Sequence, residues 1–321
     1  MLKVAYYTEV DFCLNDGPAV NEREFVSSLQ NNIDEPIIFL DKKNQGVFRG
    51  EKGIVFFIKP CRVSQIFSYL KTFRHINKAV KVNRINILAV RVTDYPIIIL
   101  LLKLFNPDLK IYIKTAALWW VGRGKPSGVK DYLYNTVNDI LTKFVYKVSS
   151  GIDVAMIETR EELIRLRLAS KQKIKLIDNV INTKIFTPNK QNKITQSVVL
   201  GFAGSLPSFR GVAQMLRVGE ELIEKYDIKI KVIGDDPDLK KVIEHSSFPA
   251  ERVLFLGKIN YFDVAKNIED MTICYSFFEN WKIKKTGNAS QKVKQYISMG
   301  KPVISVKTGH QYLVDNDLGS A

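Results

Sequence analysis

The sequence predicts an α/β protein made of two domains, each containing a parallel sheet flanked by helices. Short apolar runs alternate with longer amphipathic runs, which is the pattern of βαβ units. The apolar runs are hydrophobic throughout, as strands covered on both faces should be. One polar segment, residues 179–197, interrupts the alternation, and a length of 321 residues suits two domains better than one.

The first half of the chain carries six predicted strands with helices between them. The helices are expected where apolar residues recur at a spacing of three and four, at residues 19–30, 63–83, 95–105 and 131–148. The strands are expected at residues 4–8, 36–40, 54–58, 85–90, 110–114 and 154–157. This order predicts a parallel sheet, because each crossover between parallel strands needs a helix.

The alternation restarts after the polar segment. Strands are expected at residues 198–203, 229–233, 252–256, 271–276 and 301–306, with helices that include 212–226 and 292–299. We therefore predict an N-terminal domain at residues 1–185, a linker at 186–197 and a C-terminal domain at 198–321. If the two domains face each other, a cleft forms at the carboxyl ends of their strands, where open α/β sheets bind ligands.

Cysteine and histidine usage argues against a disulfide framework and against a metal site. The three cysteines are widely spaced and the three histidines are scattered, so neither set has ligand spacing. The first ten residues have a strand pattern and not that of a signal peptide. The longest apolar run, residues 96–102, is far shorter than a membrane span requires. We expect a cytoplasmic protein without a metal.

The formal net charge of +15 is compatible with nucleic acid, an anionic membrane surface or an acidic substrate. The basic residues are spread along the chain and match no nucleic-acid-binding motif, so a nucleic-acid partner is not expected. A peripheral position at the inner face of the membrane stays open. The helix at 63–84 mixes five basic residues with apolar ones and contains no acidic residue. It fits a membrane-surface helix or, with more weight, a core-packed helix with a solvated basic face.

Three loops suit anion binding, because each leads from a predicted strand into a helix whose first N–H groups are free. They are residues 16–22, residues 201–211 and residues 284–292. Arg210 in the second could grip a diphosphate, and Ser290 in the third is a plausible N-cap beside three lysines. The alternatives are an ordinary helix cap, a solvated arginine and a basic surface loop. Trp119 and Trp120 stack on a sugar or fill a domain interface, and the sequence does not decide between these roles.

Nucleotide motifs of two other classes are absent. The chain contains no Gly-x-x-x-x-Gly-Lys-Ser/Thr segment, which argues against a P-loop protein. A Gly-x-Gly-x-x-Gly fingerprint does not follow the first strand, which argues against a dinucleotide-dependent dehydrogenase.

Four stretches resemble the family 4 glycosyltransferases, which have the GT-B fold. The Gly17-Pro18 loop is similar to the family's N-terminal glycine loop, and residues 179–188 resemble its Asn-Gly-Val-Asp…Phe-x-Pro hinge. Residues 201–211 resemble its Gly-Arg…Lys-Gly loop. Residues 295–304 resemble its Glu-Tyr/Ala-Met-Ala-x-Gly-Lys-Pro-Val-Ile segment. The resemblance covers nearly the whole chain.

The resemblance implies a retaining transferase that binds a nucleotide-diphosphate sugar on its C-terminal domain, with no further cofactor. Arg210 and Lys292 would stabilise the leaving diphosphate. The expected donor-binding residues are Gly17, Gly204, Ser205, Gly234, Lys258, Gly287, Asn288, Ala289, Ser290, Gln291 and Gln295. The expected acceptor-binding residues are Asn21, Trp119 and Trp120. The net charge and the basic helix at 63–84 favour a sugar or lipid-linked acceptor in the synthesis of a surface polysaccharide or glycoconjugate.

Three positions depart from the family pattern and keep other functions open. Ser205 replaces an arginine, while Gly287 and Gln295 replace the two glutamates of Glu-x7-Glu. These departures favour, as the main alternative, a binding protein of the same fold that does not catalyse transfer. A nucleotide-sugar epimerase would need several carboxylates and a histidine, and the sparse histidines count against it.

Overall fold

The computed structural model describes residues 3–8, 17–32, 38–41, 54–57, 65–91, 96–115, 118, 120, 128–188, 197–204, 211–234, 239–277 and 291–305. The chain divides into two compact units. Unit 1 comprises Met1–Leu14 and Glu22–Asp178, and unit 2 comprises Asn15–Asn21 and Asn179–Ala321. The start of the first helix therefore belongs to unit 2, although most of that helix belongs to unit 1.

Unit 1 contains a seven-stranded parallel sheet with the strand order β3-β2-β1-β4-β5-β6-β7. Its strands are β1 (Val4–Thr8), β2 (Ile38–Asp41), β3 (Ile54–Phe57), β4 (Ile87–Arg91), β5 (Lys110–Thr115), β6 (Gly151–Val154) and β7 (Ile174–Leu176). Its helices are α1 (Gly17–Asn32), α2 (Gln65–Val82), α3 (Pro96–Phe105), α4 (Val129–Val148) and α5 (Ile157–Arg165). Helices α2, α3 and α4 pack side by side in one layer.

Unit 2 contains a five-stranded parallel sheet with the order β10-β9-β8-β11-β12. Its strands are β8 (Val198–Ala203), β9 (Ile228–Ile233), β10 (Val253–Phe255), β11 (Ile273–Ser276) and β12 (Val303–Ser305). Its helices are α6 (Val212–Leu222), α7 (Leu239–Glu244), α8 (Tyr261–Ile268) and α9 (Gln291–Ser298). This architecture confirms the predicted fold class.

Each unit has its own apolar core. In unit 1 the central strands pack against the inner faces of the helices, so that Leu88, Ile111 and Ile152 are fully buried among side chains such as Ile76 and Tyr146. Unit 2 has two clusters. The first is centred on Phe202 and Met215, and the second contains Phe186, Tyr296 and Val20 from the start of α1.

One predicted strand was misplaced. The strand expected at residues 154–157 lies at Gly151–Val154, and Ile157 begins α5. The strand was misplaced because Gly151 and the buried Asp153 interrupt the apolar run on which the prediction was based. The backbone of Gly151 approaches Tyr112 on β5 so closely that an added Cβ would lie 2.8 Å from the tyrosine ring, and glycine permits this pairing.

Candidate functional site

Glycines follow three adjacent strands at the carboxyl edge of the unit 2 sheet. Gly204 follows β8 with φ 142°, Gly234 follows β9 with φ 149°, and Gly257 follows β10 with φ 63°. The Gly204 N–H donates to the carbonyl oxygen of Ile233 at 2.9 Å, and the Gly234 N–H donates to that of Gly257 at 2.8 Å. Hydrogen bonds thus hold the ends of β8, β9 and β10 together, and the chain leaves each strand through backbone angles that favour glycine.

Lys292 from the first turn of α9 lies over the end of β8. Its Nζ is 4.0 Å from the centroid of the Phe202 ring. A Cβ added to Gly204 would lie 2.9 Å from that Nζ, so the missing side chain of Gly204 provides the space that the lysine occupies. The structure therefore brings together two predicted site residues that are 88 positions apart in the sequence.

Tyr296 fixes α9 to the same strand end. Its hydroxyl accepts a hydrogen bond from the Ala203 N–H at 2.7 Å and donates one to the Ala203 carbonyl oxygen at 3.3 Å. Burial raises the pKa of Tyr296 well above its ordinary value, so this phenol stays protonated. Gln295, on the preceding position, is also buried. Because Tyr296 is clamped to the residue before Gly204, the first turn of α9 keeps a fixed distance from the strand edge.

The first turn of α9 is also bonded to the chain at Asn179 and Val180. Gln291 Nε2 donates to the carbonyl oxygen of Val180 at 2.7 Å, and Lys294 Nζ donates to that of Asn179. The amide of Asn21 donates to Asn179 Oδ1 at 3.1 Å. Asn21, assigned to acceptor binding from the sequence, thus contacts Asn179, and Gln291, assigned to donor binding, contacts the next residue, Val180.

A buried hydroxyl ends the neighbouring strand β11. Ser276 is fully buried, and its Oγ has no hydrogen-bond partner among the residues that the structure describes. It pairs in register with Ser305 of β12. Ser276 was not among the site residues predicted from the sequence. A polar residue that closes an apolar run is the signal that could have drawn attention to it.

Unit 1 contains a buried ionic cluster at the carboxyl ends of its central strands. The side chain of Glu22 on α1 is completely buried, and its Oε1 lies 3.2 Å from Arg91 Nη1 and 3.2 Å from Lys114 Nζ. Arg91 ends β4, and Lys114 is the penultimate residue of β5. The hydroxyl of Tyr6 on β1 donates to Glu22 Oε2. One carboxylate thus ties α1 to three adjacent strands.

Burial changes the acid–base properties of this cluster. It lowers the pKa of Lys114, and the nearby Glu22 carboxylate partly opposes that effect. The Lys114 Nζ also lies 3.9 Å from the centroid of the Phe25 ring. Asp153 on β6 accepts a hydrogen bond from the Thr115 N–H at 3.0 Å. Burial raises the pKa of Asp153 to about 6, although Lys114 and the Thr115 N–H act in the opposite direction.

This cluster was not predicted from the sequence. Glu22 lies in a segment that was singled out for its glycine. Arg91 and Lys114 lie at the carboxyl ends of two strands, and this placement was the available signal. Their meeting at one carboxylate depends on the strand order β1-β4-β5, which the sequence does not give.

Trp120 packs against the unit 1 core. Its ring makes an edge contact with Tyr146, with 6.0 Å between centroids, and Lys143 Nζ is 5.4 Å from its centroid. The indole N–H is buried and has no hydrogen-bond partner in the described part of the chain. The contact with Tyr146 shows that Trp120 packs on the core, and its role in acceptor binding stays a prediction.

The basic helix predicted at residues 63–83 is α2, and it is packed into the core. Ile76 and Val80 on its inner side are buried. Its lysines and arginine at positions 71, 74, 78 and 81 are exposed. This arrangement agrees with the core-packed interpretation, because the apolar residues of α2 cover the sheet and its outward face is charged.

The remaining predicted site residues fall into two groups. Gly17 begins α1 and Lys258 is exposed after Gly257. The predictions for Trp119, Ser205, Arg210, Gly287, Asn288, Ala289 and Ser290 lie outside the described residues. Across the described ranges, no group of three or more potential metal ligands occurs. Within those ranges, no helix is both long and apolar enough to cross a membrane.

The solved structures that this chain resembles include glycosyltransferases and a nucleotide-sugar epimerase. Sucrose-phosphate synthase from Thermosynechococcus elongatus aligns with 95% of this chain and 81% of its own, at 12% identity and a TM-score of 0.73. WaaG, a glycosyltransferase involved in lipopolysaccharide biosynthesis, aligns with 99% of this chain and 85% of its own, at 12% identity and a TM-score of 0.67. The chain has the GT-B fold.

A UDP-GlcNAc 2-epimerase from Methanocaldococcus jannaschii shares this GT-B architecture. It covers 98% of this chain and 86% of its own, at 13% identity and a TM-score of 0.56. No protein-family model matches the chain, and no curated protein matches it. The similarity is therefore one of fold, and the function has to be argued from the site.

Proposed function

We propose that this protein is a glycosyltransferase that moves a sugar from a nucleotide-diphosphate sugar to an acceptor. The observation that carries the proposal is the pairing of Gly204 with Lys292 at the carboxyl edge of the unit 2 sheet. In open α/β sheets this edge is where nucleotides bind. A lysine held over a glycine turn offers a positive charge beside backbone that a phosphate can approach closely.

Transfer requires the bond between the anomeric carbon and the diphosphate oxygen to break. Negative charge then develops on the leaving diphosphate. Lys292 would stabilise that charge directly, with Arg210 as the second cation. Preorganisation favours this role, because Tyr296 clamps α9 to β8 before any substrate arrives. Gly234, which follows β9 with φ 149°, would leave room for the nucleotide along the same edge.

The finer assignments belong to the same proposal. The donor contacts would be completed by Gly17, Ser205, Lys258, the loop 287–291 and Gln295, with Gln295 beside the ribose. The acceptor would bind through Asn21, Trp119 and Trp120. We propose retention of configuration, chemistry supported by cations and backbone amides without a metal, and an acceptor in surface polysaccharide or glycoconjugate synthesis.

Nucleotide-induced stabilisation tests the donor site. UDP, GDP, ADP and CMP are added to the wild type, and thermal unfolding is followed. A ligand at about 100 times its dissociation constant should add about 2.7 kcal/mol to the free energy of unfolding. One diphosphate should stabilise the wild type strongly. In Lys292→Ala and Arg210→Ala the dissociation constant should rise about tenfold or more, because a hydrogen bond to a charged group is lost.

Lys266→Ala is the matched control, because Lys266 is an exposed lysine on another helix of unit 2. It should leave the nucleotide shift unchanged. Absence of a shift with every nucleotide in the wild type would refute the donor site. The protein is then incubated with the matching nucleotide sugar, and analysis of the products separates transfer from epimerisation. Repeating the incubation with EDTA tests whether the reaction needs a metal. Binding without turnover would instead identify a non-catalytic nucleotide-binding protein.

A further inference from the structure

The outward side of α4 is apolar along its whole length. Six exposed apolar side chains follow one another at intervals of four, four, three, four and four residues, which places them on one side of the helix. We call this surface the outer α4 face. These side chains are Val129, Leu133, Val137, Ile140, Phe144 and Val148. On the opposite side of α4, Thr142, Val145 and Tyr146 in its C-terminal half are buried, whereas Asp131 and Tyr132 near its start are exposed. A helix of this length presents a stripe about 30 Å long.

A stripe of this kind is unusual for a surface helix, whose outward side is normally charged. Contiguous exposed apolar patches on soluble proteins generally mark a binding surface for a protein or a membrane. Val129 is 77% exposed and Phe144 is 51% exposed. These side chains are therefore not part of the core of unit 1.

The charges around the outer α4 face are all positive. At 100° per residue, Lys130 and Lys147 flank the stripe on its two sides and Lys143 borders it, while Asp131 and Asp139 project from the opposite half of the helix. Apolar side chains flanked by lysines are the arrangement of helices that lie in the interface of an anionic bilayer. The stripe enters the boundary of headgroups and acyl chains, and the ammonium groups reach the phosphates.

The neighbouring helices extend this pattern. Helix α3 packs between α2 and α4, and neither α2 nor α3 contains an acidic residue. At the end of α3, Leu104 and Phe105 are exposed. The outward face of α2 carries three lysines and an arginine. Basic residues near an anionic surface contribute additively to its attraction, and the chain has a formal charge of +15.

We propose that the outer α4 face docks this protein onto an anionic phospholipid surface. This interaction is separate from the nucleotide site of unit 2. A second copy of the chain is the competing occupant. If two α4 helices paired in antiparallel orientation, Lys130 of one copy would lie near Lys147 of the other copy. Like charges opposed in this way disfavour that dimer, whereas a negative lipid surface is complementary to both.

Sedimentation with vesicles tests the proposal on the full chain. Vesicles of about 70% phosphatidylcholine and 30% phosphatidylglycerol are compared with vesicles of phosphatidylcholine alone, at low and high salt. The wild type should partition onto the anionic vesicles and less onto the neutral ones. Phe144→Ser should reduce the partition coefficient about tenfold or more, because a large apolar side chain no longer enters the bilayer.

Phe262→Ser is the matched control, since Phe262 is an exposed phenylalanine on α8 of unit 2. It should leave partitioning unchanged. A second pair of variants tests the charges. Lys130→Gln with Lys147→Gln should weaken binding to anionic vesicles, whereas Lys225→Gln with Lys266→Gln, which removes the same charge from unit 2, should weaken it much less.

Two results would overturn the proposal. One is no vesicle binding by a wild type that still shows its nucleotide-induced thermal shift. The other is an equal loss of binding in the Phe144 and Phe262 variants. A concentration-dependent dimer that Phe144→Ser dissociates, without vesicle binding, would assign the face to a second copy. Unchanged melting temperatures and nucleotide shifts show that the variants are folded, so failure of docking is distinguishable from failure of the donor site.

Discussion

Gly204 shows how a single missing side chain shapes the candidate donor site. Its φ of 142° is a conformation that other residues rarely adopt, and the space beside it holds Lys292. We expect Gly204→Ala to lower the free energy of unfolding by about 1–3 kcal/mol. It should also abolish the nucleotide-induced thermal shift, because the added methyl group displaces the lysine.

Gly257→Ala is the control for backbone strain. Gly257 also has a positive φ, 63°, but a Cβ there would meet no atom within 4 Å. The substitution should lower the free energy of unfolding by about 1–2 kcal/mol and leave the nucleotide shift in place. If both variants keep the shift, the close contact between Gly204 and Lys292 has no part in binding.

Glu22 balances two largely buried cations, so its charge should be costly to remove. We expect Glu22→Gln to lower the free energy of unfolding by about 3–5 kcal/mol, because Arg91 and Lys114 would remain buried without their carboxylate. Chemical denaturation measures the loss. Glu162→Gln serves as the comparison, since Glu162 pairs with a well-exposed arginine and should have little effect. Similar losses in the two variants would contradict the structural role of the cluster.

Asp153 should make the stability of unit 1 depend on pH. Its folded pKa of about 6 lies above the ordinary value of 3.8, so the folded state holds its proton more tightly than the unfolded state. The contribution of Asp153 to the free energy of unfolding is therefore fully present below about pH 4 and is lost as the pH rises through 6. The loss is at most about 3 kcal/mol, since one pKa unit corresponds to about 1.4 kcal/mol.

Asp153→Asn cannot titrate, and it retains an oxygen to accept from the Thr115 N–H. Relative to the variant, the wild type should lose stability between pH 4 and pH 7 in urea denaturation. Parallel pH profiles of the two proteins would show that Asp153 is not buried as the structure places it.

At the scale of the element, the sequence predicted most strands to within two or three residues. Strands β1 and β8 fall where the apolar runs place them, because parallel strands covered on both faces leave a continuous apolar signal. The short edge strand β7 was missed. Two of its three residues are exposed, so it carries no such signal.

Contacts between elements were beyond the sequence for a different reason. The loop 284–292 was expected to bind an anion because of its lysines, and this pattern drew attention to Lys292. The sequence could not show that Lys292 lies over Gly204, or that Tyr296 holds α9 at that distance. Such contacts depend on the order β8-β11-β12, which places α9 across the end of β8.

The attachment of α9 to β8 can be tested through Tyr296. Tyr296→Phe keeps the ring in the core but leaves the N–H and carbonyl of Ala203 without their partner. We expect a loss of about 1–3 kcal/mol in the free energy of unfolding. The nucleotide affinity should also fall, because Lys292 is held less firmly. Tyr226→Phe, at an exposed tyrosine of unit 2, should change neither quantity, and an equal effect there would contradict the proposed clamp.

At the scale of the whole molecule, α1 is divided between the two units. Its first residues belong to unit 2, where Val20 packs with Phe186 and Tyr296, and the rest of the helix belongs to unit 1. The sequence predicted one division, with a linker at residues 186–197, because the polar segment 179–197 interrupts the alternation of strands and helices. The assignment of residues 15–21 to the second unit carries no such signal, since it arises from tertiary packing.

This division predicts that substitutions of two valines on α1 will weaken different units. Val20 and Val26 are both 2% exposed, but Val20 belongs to unit 2 and Val26 to unit 1. Each substitution by alanine should cost about 2 kcal/mol through lost burial and the remaining cavity. In hydrogen exchange, Val20→Ala should reduce amide protection in β8 and β11, whereas Val26→Ala should reduce it in β1 and β4. If both variants lower protection in the same strands, α1 belongs to a single cooperative unit and the division of the chain within this helix is wrong.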